Sequence, residues 1–343
     1  MIYRSKAPLR IGLAGGGTDV SPYTDEFGGA ILNATISLHA HASIEITNDN
    51  RIVFSSVDKQ ETEEYAIMDQ VPINGRLDLA KGVYNRIQKD HPFHTQGFRL
   101  STFVDAPAGS GLGTSSTLCV AIIGAFAEML KLPLGDYDTA QYAYDIERND
   151  LQLAGGRQDQ YAATFGGVNF MEFYAQDKVI VNPLRIRQEY LNELENNTVL
   201  YFTSTTRESA AIITEQQKNV RESNTRSIEA MHQLKEQAKM MKEALLTGQL
   251  NRIGEILDFG FRQKKNMAHN ISNSRIDTIY EAAISAGATG GKISGAGGGG
   301  FMIFYCPGNS RYNVIRALEQ FGGWVNPFQF TQHGLTSWMV ETK

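Results

Sequence analysis

Long apolar runs are missing from this 343-residue sequence. No stretch approaches the ~20 consecutive apolar residues that cross a bilayer, and Met1-Ile-Tyr-Arg-Ser-Lys6 holds no continuous apolar signal segment. A soluble, cytoplasmic protein with no membrane partner is therefore expected. Cysteine is scarce as well. Cys119 and Cys306 each lie in an apolar run, the setting of a small buried hydrophobe rather than of a bridge or a metal ligand, which fits a reducing compartment. Excess positive charge is lacking, and a formal net charge of -5 excludes a generic nucleic-acid surface, so any phosphate affinity must be local. No Gly-Lys-Ser or Gly-Lys-Thr occurs, which removes a Walker-type loop. Asp258-Phe-Gly260 has no His-Arg-Asp partner and sits in a helix-like segment, so it is set aside.

What is present is organised in two parts. Between Thr35 and Ile46, apolar and polar residues alternate with the period of a half-buried strand, which puts His39 and His41 on the polar face without chemistry. Leu118, Ala121, Ile122, Ala125, Phe126, Met129 and Leu130 recur at the spacing of one helix face. Ile228 to Leu245 predicts a long amphipathic helix, and Ile276 to Ile284 another. Strands are expected at Phe98 to Val104, Val199 to Thr203, Phe301 to Tyr305 and Thr336 to Val340. The mixture predicts a two-layer α+β protein. A composition shift over residues 183–197 marks a junction, dividing the chain into 1–187 and 188–343. About 150 residues per domain gives the same count.

Three glycine-rich runs carry the chemistry. Pro107-Ala-Gly-Ser-Gly-Leu-Gly-Thr-Ser-Ser-Thr117 links a strand to a helix. Glycines there let the backbone curl around a ligand, and a helix N-terminus offers unpaired N–H groups with roughly half a positive charge. Thr114, Ser115 and Ser116 supply hydroxyls to cap the helix or to meet a phosphate or Mg²⁺. Gly295-Ala-Gly297-Gly298-Gly-Gly300 fits the dinucleotide fingerprint formally, but it opens a strand instead of a helix. The run from Ala7 through Arg10 to Gly15-Gly-Gly17-Thr18-Asp19 places an acid directly after glycines, as a polyhydroxylated ligand requires.

These three runs, in this order, resemble the motifs of the GHMP small-molecule kinases over essentially the whole chain. The resemblance implies an N-terminal domain like ribosomal protein S5 domain 2, a ferredoxin-like C-terminal domain, and ATP and substrate in the cleft between them. It implies ATP contacts at Pro107, Gly109, Gly111, Leu112, Gly113, Thr114, Ser115 and Ser116. Asp159 matches the catalytic aspartate, and Arg10 the arginine beside the reacting hydroxyl. Glu147 and Ser115 match the magnesium ligands. Gly17, Thr18, Asp19, Arg157, Gly297 and Gly298 are the expected substrate contacts.

Galactokinases carry Gly-Glu-His-Thr-Asp where this chain has Gly15-Gly-Gly-Thr-Asp19, so two bulky polar residues are replaced by glycines. The segment is most similar to D-glycero-D-manno-heptose 7-phosphate kinases, then to the kinase half of fucokinases. That resemblance implies phosphorylation of an anomeric hydroxyl on a sugar that already carries phosphate. Arg157, Arg207, Arg4 and Lys292 are the candidate cations for that phosphate. A nicotinamide dehydrogenase is disfavoured by where the glycine runs lie. A non-catalytic sugar sensor would be expected to lose Asp159, Glu147 or Ser115, all of which are present.

Overall fold

The computed structural model describes residues 1–94, 96–205 and 209–341, so Arg207 lies outside the described residues. The first sheet is built from β1 (Ile2–Ala14), β2 (Gly29–Ile46), β3 (Arg51–Ser56), β4 (Glu61–Ala66), β5 (Phe98–Val104), β6 (Val168–Phe173) and β7 (Val179–Pro183). Eighteen residues long, β2 pairs with β5 through its C-terminal half and with β6 through its N-terminal half. A second sheet of β8 (Thr198–Phe202), β9 (Gly290–Ile293), β10 (Phe301–Tyr305) and β11 (Trp324–Val325) is antiparallel in the order β11-β8-β10-β9. The junction expected at 187/188 falls just after β7. The closing strand β12 (Thr336–Val340), however, returns to pair with β1 from Ile2 to Lys6. A linear division puts it with the second sheet, whereas its hydrogen bonds tie it to the first.

Helices α1 (Tyr23–Phe27), α2 (Asp78–Asp90), α3 (Thr114–Leu130), α4 (Asp136–Asp145) and α5 (Gln158–Phe165) belong to the first part. The second contributes α6 (Gln188–Asn197), α7 (Ser209–Arg221), α8 (Thr225–Thr247), α9 (Ile253–Lys264), α10 (Ser274–Ser285) and α11 (Ser310–Leu318). The expected helices over 228–245 and 276–284 are α8 and α10, and the discarded Asp258-Phe-Gly260 is a segment of α9. Both cysteines are buried and free. No helix among the described residues is long and apolar enough to cross a membrane.

The α3 periodicity becomes a core. Cys119, Ala121, Ile122, Ala125 and Phe126 are fully buried, and α3 lies across β1 and β2. Burying each large apolar side chain contributes roughly 1.5–3 kcal/mol. Residues of α8 join the same core, so the second half of the chain braces the first sheet. Phe126 meets Phe98 at 5.7 Å, Phe93 at 6.1 Å and Tyr84 at 6.4 Å between ring centroids. Phe126→Ala is expected to cost about 3–5 kcal/mol by chemical denaturation, because the surrounding rings cannot close the void.

Candidate active site

The phosphate loop and α3 are joined as expected, but the helix is not capped by a hydroxyl. Its N-cap is Gly113 at φ 77°, with no side-chain hydrogen bond. Ser115 Oγ instead donates to Glu147 Oε1 at 3.0 Å, and Ser116 Oγ accepts from Gln160 Nε2 at 3.1 Å. The first N–H groups of α3 are thereby left for a ligand. A positive end of this kind favours an anion.

The loop is held from the C-terminal side of the cleft. A Cβ on Gly111, at φ +84°, would lie 2.6 Å from the Ser294 carbonyl oxygen, and one on Gly295 would lie 2.6 Å from Gly111 Cα. Backbone passes against backbone, which only glycine permits. Ser294 Oγ donates to the Gly111 carbonyl at 2.8 Å, and the Phe301 N–H donates to the Ser110 carbonyl at 2.9 Å. The third glycine run is therefore a clamp on the second. Gly297 and Gly298 do not line the cleft. A Cβ on Gly297 would lie 2.8 Å from the Ile271 carbonyl oxygen, and the Gly298 N–H donates to that same oxygen.

Arg10 reaches the cleft from β1. The β1–β2 register shifts between Pro8 and Arg10, a bulge of the kind that re-aims a side chain. The Arg10 backbone N–H leaves the ladder for the Leu112 carbonyl at 3.1 Å. Its guanidinium binds Asp159 Oδ1 through Nε at 2.6 Å and the Gly111 carbonyl at 2.6 Å. Asp159 stands in the first turn of α5, and a Cβ on Gly113 would lie 3.1 Å from its Cγ. Carboxylate and phosphate loop share one wall.

Glu147 lies in a π-helical turn over Ile146–Asp150 that continues α4, a deviation common at functional positions. It is 1% exposed, and its Oε2 accepts from Gln160 Nε2 at 2.6 Å. Asp19 caps α5 from outside: Oδ2 accepts the N–H groups of Arg157 at 2.8 Å and Gln158 at 3.0 Å. Any Cβ on Gly156 would overlap that carboxylate. Burial, partly offset by these bonds, raises the Asp19 pKa. Thr18 is fully buried, its hydroxyl engaged with the Gly15 and Ala30 backbone.

These side chains surround a cleft of about 310 Å³ whose lining includes Arg10, Gly17, Asp19, Gly109, Gly111, Gly113 and Thr114. Ser115, Ser116, Glu147 and Asp159 line it too. Pro107, Leu112, Thr18 and Arg157 do not. Arg157 turns its guanidinium onto Asp177, Asp25, Ser21 and the Tyr174 carbonyl, over the Tyr144 ring, so proximity in sequence to Asp159 did not bring it in. Arg4 is exposed and lines a separate hollow with His41 and Trp338. Lys292 does face the cleft, its Nζ donating to the Gly12 carbonyl at 2.8 Å. Lys264 and Arg148 are further lining cations that the motifs did not reveal. The signal for Lys264 lay in the register of α9, where it follows Ile253, Ile256, Leu257, Gly260 and Phe261 on the buried face.

Burial depresses both lysines, and Arg10 adds to it: Lys264 falls to about 8, and Lys292 goes well below its ordinary value.

A carboxylate held by arginine beside the open N-terminus of a helix suits the transfer of a phosphoryl group to a hydroxyl, the work of a phosphotransferase with an alcohol acceptor. The model of the GHMP kinase N-terminal domain matches residues 78–167, and that of the GHMP kinase C-terminal domain matches residues 241–323. D-glycero-alpha-D-manno-heptose 7-phosphate kinase from Campylobacter jejuni is 49% identical, covering 98% of this chain and 99% of its own. A crystal structure of a D-glycero-D-manno-heptose 1-phosphate kinase from Bacteroides thetaiotaomicron superposes with TM-score 0.85 at 46% identity, covering 99% of this chain and all of that one. Methanococcus jannaschii mevalonate kinase shares the fold, with TM-score 0.75 at 19% identity over 96% of this chain and 98% of that one. The chain belongs to the GHMP kinases, which use ATP as phosphoryl donor.

Two outcomes follow from this geometry. Gly295→Ala forces the phosphate loop aside, and ATP affinity measured by calorimetry is expected to fall at least about tenfold, the scale of one lost charge-assisted hydrogen bond. Lys264 is cationic below pH 8 and loses its proton above it, surrounded by Arg10, Asp19, Asp159 and, beyond them, Lys292. The affinity for sulfate, whose own charge is constant over this range, is expected to drop by up to about tenfold between pH 7 and pH 9.

Proposed function

We propose that the chain transfers the γ-phosphoryl group of ATP to the anomeric hydroxyl of D-glycero-D-manno-heptose 7-phosphate, giving the 1,7-bisphosphate for nucleotide-activated heptose synthesis. The observation that carries this reading is the Arg10–Asp159 pair on the wall of the phosphate loop, 2.6 Å between Nε and Oδ1. Identity of 49% to the Campylobacter kinase bearing that substrate's name supports the choice of sugar. The Bacteroides relative is named for a heptose 1-phosphate, so the two names differ on where the existing phosphate lies. Gly16, where galactokinases carry a glutamate, leaves room for a substrate longer than galactose, since a Cβ there would come no nearer than 3.7 Å to Lys264 Nζ, whereas the space beside Gly17, where they carry a histidine, is filled by Met267.

The chain's own groups divide the work. Phosphoryl transfer passes through a loose transition state, so alignment and charge neutralisation dominate. Asp159 accepts the hydrogen of the acceptor hydroxyl and orients its lone pair. Because alignment dominates in a loose transition state, orienting that hydroxyl is the larger part of the work. Arg10 fixes the carboxylate while bonded to the Gly111 carbonyl, which ties the acceptor side to the phosphate side. The free N–H groups at the start of α3, with Lys292, offset phosphate charge.

The residues present fit Mg²⁺. Glu147 and Ser115 offer hard oxygen donors 3.0 Å apart on the cleft wall, and Mg²⁺ is commonly held by one or two carboxylates with substrate phosphates completing its shell. When bound, the ion supplies further neutralisation of the phosphate oxygens.

A coupled ADP-release assay over heptose 7-phosphate, heptose 1-phosphate, fucose, galactose and mevalonate tests the reading. Turnover is expected with heptose 7-phosphate, and preference for any other acceptor contradicts it. Asp159→Asn is expected to lower kcat by about 10²–10⁴ while ATP affinity holds. Binding of sugar and ATP without turnover in the unaltered protein would point to the sensor instead.

A further inference from the structure

We propose that Lys264 is a specificity-determining residue, holding the phosphate that the sugar substrate already carries against the bare backbone of Gly16 and Gly17. This rests on the substrate being a sugar phosphate.

Lys264 is 4% exposed, and its Nζ donates to the Gly295 carbonyl, a neutral acceptor. Among the described residues no carboxylate lies within 4.0 Å of it. Asp19 and Asp159 act on it only from beyond ion-pair distance and are opposed by Arg10, and a buried ammonium without a direct partner is destabilising by several kcal/mol. The contrast within the same chain is Lys81, also buried, which is paired with Asp78 at 3.1 Å and Glu63 at 3.8 Å and bonded to Asn74. Lys81 is what a structural buried lysine looks like. Lys264 has no direct ion pair among the described residues and stands on the wall of an open cleft, where an anionic ligand would complete it.

The facing backbone has the same deficit in the complementary form. Neither the Gly16 nor the Gly17 N–H meets an acceptor among the described residues, and both glycines line the cleft. A Cβ on Gly16 would stand 3.7 Å from Lys264 Nζ, so the turn and the ammonium confront one another with no side chain between them. Unpaired N–H groups beside a cation form a receptor for a tetrahedral oxyanion.

Among the described residues Lys292 is the other buried lysine with no carboxylate within 4.0 Å, but its Nζ is directed to the Gly12 carbonyl of β1. The turn over residues 15–17 leads instead into Asp19, which caps the helix that carries Asp159. On this proposal a sugar whose reacting hydroxyl meets Asp159 lays its own phosphate on the 16–17 turn and Lys264, which share the cleft with that carboxylate.

Steady-state kinetics on Lys264→Met and Gly16→Ala, with heptose 7-phosphate and with the unphosphorylated heptose, test the assignment. Methionine is close in volume and removes a buried charge, so folding is expected to survive. Alanine at 16 makes only ordinary contacts and fills the space before the ammonium. Both variants are expected to raise KM for the 7-phosphate about 10- to 100-fold, the worth of a charge-assisted contact, with kcat, KM for ATP and turnover of the plain sugar nearly unchanged. An equal loss with both sugars would make Lys264 a transfer-centre residue, and an unchanged KM would remove it from recognition; either overturns the proposal. If unaltered protein rejects the 7-phosphate, the substrate reading fails by itself. Sulfate calorimetry then still decides: affinity lost in Lys264→Met supports the anion site, and affinity retained refutes it.

Discussion

The carbonyl oxygen of Gly111 is where this molecule is fastened together. It accepts from the Arg10 guanidinium of β1 and from the Ser294 hydroxyl of the third glycine run, so both lone pairs are used and three distant segments meet at one atom. The contact exists because Gly111 and Gly295 pass with no side chain between them. A glycine there costs conformational entropy, roughly 0.5–1 kcal/mol relative to alanine in regular structure, and the return is a phosphate loop whose position is set from both halves of the chain. Arg10 then transmits that position to Asp159. On the proposed reading, acceptor orientation and donor orientation are in this way a single geometric property.

Charge is arranged with the same economy. The chain carries net -5, yet one cleft gathers Arg10, Arg148, Lys264 and Lys292 against Asp19, Glu147 and Asp159. Asp159 is matched by Arg10, and Asp19 by two backbone N–H groups. The two lysines have no direct carboxylate partner among the described residues, and burial lowers their proton affinity. On the proposed reading the site takes two polyanions, and such an excess of positive charge is what they would neutralise on binding. The cost in the free protein is met by the surrounding cores, into which α3, α8 and β10 bury their apolar faces.

Much of this was legible in the sequence where the signal is local and periodic. The α3 face, the alternation in β2 and the glycine runs were visible because helix and strand periods are written into consecutive residues. Asp159, Arg10, Glu147 and Ser115 were named through family resemblance, and the structure brings all four to one cleft. What failed depended on direction. Arg157 is two positions from Asp159, but residues two apart near a helix start point to different sides, and Arg157 was drawn off to Asp25 and Asp177. Gly297 and Gly298 pack on Ile271 because only part of the third run touches the phosphate loop. The pairing of β12 with β1 joins opposite ends of the chain, which no local pattern encodes. Lys264 was discoverable as a charge in an apolar helical register, a mismatch that marks function more often than error.

The central claim is that the carboxylate at 159 presents a sugar hydroxyl to the phosphate held by the Gly111 turn. Phosphorus NMR of the product made from ATP and heptose 7-phosphate tests it most directly. A new phosphomonoester signal coupled to the anomeric proton, beside the retained carbon-7 phosphate, is the expected result. Phosphate on another carbon, or release of inorganic phosphate without any sugar bisphosphate, would contradict it.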